Sequence, residues 1–256
     1  MNGILDSFRL DGKVAVVTGA GRGLGRAMAA ALAQAGADVV GVARAAAAAE
    51  TEAAVRAAGR RYHHVQADLS DLAPVPGIIE AALARFGRID ILVNNAGIIA
   101  RNDAIEFTER EWDAVLDVDL KAAFFLGQAA ARRFIDQGGG GKIVNVASML
   151  SFQGGIRVPS YTAAKSGLKG VTMAMANEWA RHGIGVNAIA PGYMATDNTA
   201  QLRADGARNE EILARIPAGR WGLPEDLAGA VVFLASPASD YVNGFTLAVD
   251  GGWLAR

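Results

Sequence analysis

The stretch KVAVVTGAGRGLGRAMAAALAQAG, residues 13–36, decides the fold. Its opening residues form an apolar, β-branched run, the mark of a strand buried on both faces. The run passes directly into TGAGRGLG (18–25), and RAMAAALAQA (26–35) follows with strong helix formers and an apolar face. Gly36 stands where that helix must stop. A strand, a glycine loop and a helix in this order present backbone N–H groups and the positive helix end to a pyrophosphate. A glycine triplet alone is a weak signal. Its place at the first strand–helix unit of an alternating chain is what strengthens it.

Working outward, six more apolar runs read as strands: ADVVGVA (37–43), YHHVQAD (62–68), IDILVNNAG (89–97), GKIVNVAS (141–148), IGVNAIAPG (184–192) and GFTLAVDGG (244–252). Ala-rich or amphipathic segments of helical length separate them. Such alternation predicts an α/β fold, a Rossmann-type doubly wound sheet of seven mainly parallel strands with helices on both faces. No linker, repeat or composition break divides residues 1–256, so a single domain is expected. Its half at about 12–148 is expected to hold a dinucleotide, and 149–256 to carry catalysis and substrate. AAAAAETEAAVRAA (45–58) is low in complexity but rich in helix formers, and predicts a helix. GGGG (138–141) reads as a surface turn, and Pro224 as the start of the last helix.

Composition excludes several functions. Of 256 residues 52% are hydrophobic, enough for a sizeable core, and a net charge of −1 offers no basic surface to nucleic acid. Cysteine is absent, which rules out disulfides, a thiolate nucleophile and cysteine-ligated metal. The opening MNGILDSFRLDG has no signal-peptide core, and no apolar run approaches membrane-spanning length. A cytoplasmic protein without a membrane partner is the expectation. No metal site is expected either. His63 and His64 are neighbours on a strand and face opposite ways, while His182 ends a helix, where a cation suits the dipole. Leu168, Val171, Met175 and Trp179 form a helical stripe suited to core or subunit contact.

The chemistry lies in VPSYTAAKSG (158–167), where Lys165, one of five lysines, follows Tyr161 by one helical turn on the same face. A phenol ordinarily titrates near about 10, and a neighbouring ammonium favours its ionised form. Tyr161 is therefore a candidate general acid and base. Ser148 ends a predicted strand, at the edge where open α/β sheets place their ligands, and can hydrogen-bond the same substrate oxygen.

Thr18, Gly19, Gly23 and Gly25, then NNAG (94–97), Ser148, and Tyr161 with Lys165 resemble the short-chain dehydrogenase/reductase family, in order and over essentially the whole chain. The resemblance implies interconversion of a ketone and a secondary alcohol with a nicotinamide cofactor. Lys165 then also holds the nicotinamide ribose. The implied cofactor wall includes Leu24, Asp68, Leu69, Asn95, Ala96, Gly97, Pro191, Gly192 and Thr196. One departure stands out: the family has asparagine where this chain has Asp119, in LDVDLKAAFF. An aspartate keeps the backbone carbonyl used there but adds a negative charge near Lys165. Altered pH dependence, rather than lost activity, is the expectation.

Cofactor choice follows from charge. NAD-binding loops are usually followed about 20 residues on by an acid for the ribose 2′-hydroxyl. Here that position reads Ala43, Arg44 and Ala45, and Arg22 sits inside the loop. Two guanidinium groups suit a 2′-phosphate, which favours NADP(H) over NAD(H). The segments ASMLSFQGGIRVPSYTAAKSG, NEWARHGIGVNAIAPGYMATDNT and RIPAGRWGLPEDL resemble a branch of the family acting on keto-deoxy sugar acids. That branch implies such a substrate, a homotetramer, and in many members NAD(H). For the substrate carboxylate the candidates are Arg157 and Arg101, and for its hydroxyls Gln153, Asn102 and Asn198. Two alternatives remain: another reductase of the family, of the 3-oxoacyl-carrier-protein or sugar-alcohol kind, and a catalytically weak nucleotide-binding regulatory protein.

Overall fold

The computed structural model describes residues 3–45 and 47–256. The seven predicted strands are all present: β1 (Val14–Thr18), β2 (Asp38–Ala43), β3 (Tyr62–Gln66), β4 (Ile91–Asn94), β5 (Gly141–Val146), β6 (Ile184–Pro191) and β7 (Thr246–Val249). They form one parallel sheet in the order β3-β2-β1-β4-β5-β6-β7. Side chains alternate across each strand, and β1 shows the consequence. Ala15 and Val17 enter the core on one face, with Met28 and Leu32 of α1 (Gly23–Gln34), Val55 of α2 (Ala49–Ala57), and Val231 and Leu234 further along the chain. Val14 and Val16 enter the opposite core, with Ile78 of α3 (Val75–Phe86).

That second core is completed by a long helical run. It begins with α4 (Glu109–Leu116), whose first turn is closed by a capping box between Thr108 and Glu111. A π-helical turn, Asp117–Lys121, then joins it to α5 (Ala122–Gln137). Leu126 and Phe134 of α5 and Met175 of α6 (Pro159–Trp179) fill the space above the sheet. Leu168 and Met175 are buried, and Val171 and Trp179 pack against the core that contains Met175, so the predicted stripe is core-facing. After β6 come two short helices, α7 (Ala200–Ala204) and α8 (Gly206–Arg215). Pro224 opens a 3-10 turn leading into α9 (Ala228–Ala235), which supplies Val231 and Leu234 to the first core.

The helix expected over 45–58 is shorter, because Ala48, at φ −132° and ψ 60°, is outside the helical region and Arg44, Ala45 and Ala47 line the edge of a cleft before α2 begins. Ala46 lies outside the described residues, as do Met1 and Asn2. Gly36, at φ +116°, ends the first helix, and a side chain there would press on the Asp11 backbone nitrogen at 2.8 Å. Of GGGG, Gly138 is left-handed at the end of α5 and Gly141 already begins β5.

Candidate active site

Between β1 and β4 the strand order reverses, and chains leaving their carboxyl ends diverge to open a crevice. The crevice is a cleft of about 870 Å³ running from the glycine loop to Tyr161. Thr18 does not line it but braces its floor: the hydroxyl accepts the N–H groups of Asn95 and Ala96, both at 2.9 Å. Asn95 in turn donates to the Thr18 carbonyl at 2.8 Å, locking the two strand ends together.

The loop fits a pyrophosphate. Gly19 and Gly23 have φ of +64° and +52°, conformations that other residues adopt only with strain. A side chain at Gly25 would collide with the Gly19 carbonyl, so the helix packs tightly onto the loop. Arg22 at the N-cap provides no side-chain cap, leaving the first-turn N–H groups to a ligand. Arg22, Gly23, Leu24 and Gly25 line one stretch of the cleft, and Arg44, Asp68 and Leu69 the next. The Asp68 carboxyl is held below its usual range by the N–H of Ser70, at 3.0 Å, and by the Arg44 charge. Asn95, Ala96 and Gly97 form the middle, with Pro191, Gly192 and Thr196 opposite. Gly192 is needed because a side chain would meet Asp250 Cα at 2.6 Å.

Ser148, Tyr161 and Lys165 meet at the far end. Ser148 follows β5, and its hydroxyl accepts the Leu150 N–H at 3.1 Å. Pro159 starts α6 with its fixed φ, placing Tyr161 in the first turn and Lys165 one turn below. The Lys165 ammonium is 5.5 Å from the Tyr161 ring centre, donates to the Val146 carbonyl at 2.9 Å, and lies 3.2 Å from Asp119 Oδ2. Asp119 is fully buried in the π-helical turn, where its other oxygen accepts the Ile98 N–H at 2.7 Å. Gly97 keeps that carboxylate room, since a side chain would sit 2.7 Å from Oδ2. An inserted π turn is a common device for aiming a side chain into a functional site.

Electrostatics correct one expectation. Burial pushes the Tyr161 phenol above its usual range, and Lys165 only partly offsets this. Asp119 pushes the phenol up as well, while the Ser148 hydrogen bond and the Arg101 charge pull it down. For Lys165, burial opposes the charge, yet Asp119 and Tyr161 outweigh it and raise its pKa. Asp119 itself is raised by burial despite Lys165 and the Ile98 N–H. The expected net acidification of Tyr161 is therefore not found. The lysine acts in the expected direction, but desolvation is larger.

Of the substrate candidates, Arg101 and Asn198 line the cleft and touch, with Arg101 Nη2 donating to the Asn198 carbonyl at 3.3 Å. The others do not reach it. Arg157 adopts φ +64° and turns outward to pair with Asp103 at 2.9 Å. Gln153 accepts a bond from Arg215 at 3.2 Å, and Asn102 is spent on the Glu106 carbonyl at 3.1 Å. Ser70, Ile98, Met194 and Asp197 line the cleft without having been foreseen. Only Asp197 carried a usable signal, a charge directly after Thr196.

A family model described as Enoyl-(Acyl carrier protein) reductase matches residues 19–254. The chain is 64% identical to the 2-dehydro-3-deoxy-D-gluconate 5-dehydrogenase of Escherichia coli (strain K12), over 99% of this chain and 100% of that one. A structure from Agrobacterium tumefaciens, provisionally named a 2-deoxy-D-gluconate 3-dehydrogenase and holding NADP, superposes with a TM-score of 0.92 at 57% identity, covering 98% and 99% of the two chains. A gluconate 5-dehydrogenase from Burkholderia cenocepacia, in complex with NADP and tartrate, gives 0.93 at 41% identity and covers 99% and 100%. Fold, cleft and likeness agree: the chain belongs to the short-chain dehydrogenase/reductase family.

Proposed function

We propose that this protein is an NADP(H)-dependent oxidoreductase that interconverts a ketone and a secondary alcohol on a keto-deoxy sugar acid, the hydroxyl at carbon 5 of 2-dehydro-3-deoxy-D-gluconate being the first substrate to test. The observation that carries this reading is the sharing of one cleft by the glycine loop, Ser148, Tyr161, Lys165 and Arg101. The E. coli relative named for that substrate and the NADP in two similar structures support it. The tartrate, a hydroxylated dicarboxylate, supports an acid-binding site.

When bound, the nicotinamide supplies or accepts a hydride at the substrate carbon. The chain's own residues manage the oxygen. Ser148 donates a hydrogen bond to the carbonyl, and Tyr161 gives it the phenolic proton. Lys165 stabilises the phenolate left behind. In the oxidative direction Tyr161 must first be ionised. Since its pKa is raised, oxidation is expected to keep gaining rate with pH well into the alkaline range, while reduction runs undiminished through neutrality. Asp119→Asn removes a charge that disfavours the phenolate. The alkaline limb of kcat/KM for oxidation should then move to lower pH with turnover retained; an unmoved limb would show that Asp119 does not act on Tyr161.

In this reading the half up to Ser148 supplies most of the cofactor wall and also Ser148 and Arg101 on the substrate side, and the half after it supplies Tyr161 and Lys165. Arg101 takes the substrate carboxylate, in place of Arg157. Arg101→Ala should raise KM for the sugar acid about tenfold to a hundredfold, as expected for a bond to a charged group, and leave a neutral ketone nearly unaffected. Equal effects on both substrates would remove Arg101 from the site. A homotetramer belongs to the same proposal. Exposed Phe125 and Met173 on α5 and α6, and Tyr241 and Phe245 beside β7, supply apolar area for contacts between copies. A cytoplasmic location is also proposed; among the described residues no helix is long and apolar enough to cross a membrane.

A further inference from the structure

Arg22 is engaged by a residue from the far side of the cleft. Its Nη1 lies 3.4 Å from Oδ2 of Asp197, 175 positions along the chain. The segment bearing Asp197 is seated firmly against the glycine loop. Thr196 Cγ2 is 3.7 Å from where a Gly23 side chain would begin. Thr199 Oγ1 donates to the Met194 carbonyl at 2.6 Å, closing the turn, and Arg101 holds the Asn198 carbonyl from the other wall. Arg44 differs from Arg22 here, forming no ion pair among the described residues. Both arginines and Asp197 line the same cleft.

We propose that Asp197 is a cofactor-discriminating residue, whose carboxylate competes with a 2′-phosphate for Arg22. This rests on the reading of Arg22 as a phosphate ligand. A dinucleotide with a free 2′-hydroxyl makes no demand on Arg22, so the Arg22–Asp197 pair survives its binding. A 2′-phosphate carries close to two negative charges near neutrality and accepts both prongs of a guanidinium. Arg22 must then leave Asp197, and the carboxylate is left as a like charge near the phosphate. Asp197 therefore tilts the protein toward the unphosphorylated cofactor, against the pull of Arg22 and Arg44. The pair is exposed, at 72% and 78% of the side chains, so the tilt is modest and sensitive to salt.

The test is equilibrium binding of NADPH and NADH, followed by nicotinamide fluorescence, for the parent protein, Asp197→Asn, Arg22→Ala and the double variant. Asp197→Asn should lower the ratio of Kd for NADPH to Kd for NADH about threefold to fivefold, and less in high salt. In the Arg22→Ala background the same substitution should lower the ratio by a smaller factor, because only the like-charge repulsion of the phosphate is then left to relieve. If Arg22→Ala alone leaves the ratio as in the parent, the phosphate reading of Arg22 fails and the proposal with it. If Arg22→Ala shifts the ratio but Asp197→Asn weakens or strengthens both cofactors alike, Asp197 is only a strap and this proposal alone is overturned. Both side chains are exposed, so neither substitution threatens folding.

Discussion

Tyr161→Phe is expected to lower kcat by about two to four powers of ten in both directions, the usual share of a positioned general acid or base. The phenylalanine ring fills the same space, so the wall of the cleft is kept and only the proton is lost. Binding of reduced cofactor, measured by fluorescence, should change far less than turnover. That contrast separates loss of chemistry from loss of the site. Ser148 and the hydride alignment account for whatever rate remains. A kcat within a few-fold of the parent would mean that water or another side chain delivers the proton.

Lys165→Met is expected to damage stability as well as turnover. Its side chain is 4% exposed and that of its partner Asp119 0%. Removing the ammonium leaves a buried carboxylate with only the Ile98 N–H to hold it, and breaking such a pair costs about 3–5 kcal/mol. Urea unfolding should show this as a lower midpoint with an unchanged slope. Adding Asp119→Asn to Lys165→Met removes the stranded charge. The double variant should recover much of the stability while remaining inactive. If it recovers no stability, the loss comes from packing around the lysine stem instead. If Lys165→Met unfolds like the parent, the ion pair is not the buried unit described here.

How legible all this was depended on the range of the interaction concerned. The strands were legible because a strand covered on both faces needs a nearly continuous apolar run; VAVV and ILV supply it, as does IVNV with only Asn145 intervening, a buried amide paired with Asn94 and Thr172. The glycine loop and the Tyr161–Lys165 spacing are local patterns, and the structure brings both to one cleft. What stayed hidden depended on burial or on residues far apart in sequence. The raised pKa of Tyr161 is set by desolvation, which no spacing reports. Arg157 looked apt beside Tyr161, but a left-handed backbone turns it to Asp103. The π turn that aims Asp119 shows no break in helical composition between α4 and α5. The Arg22–Asp197 contact joins two loops that only the closed sheet brings together.

The central claim is that Tyr161 passes a proton to the oxygen of a sugar-acid ketone beside a nicotinamide held by the glycine loop. Its most direct test is steady-state reduction of the C5 ketone of 2-dehydro-3-deoxy-D-gluconate, with NADPH and NADH in turn, by the parent protein and by Tyr161→Phe. The account predicts turnover by the parent with kcat/KM higher for NADPH, and its near abolition in the variant. No turnover with either cofactor would contradict the account, as would equal rates from parent and variant.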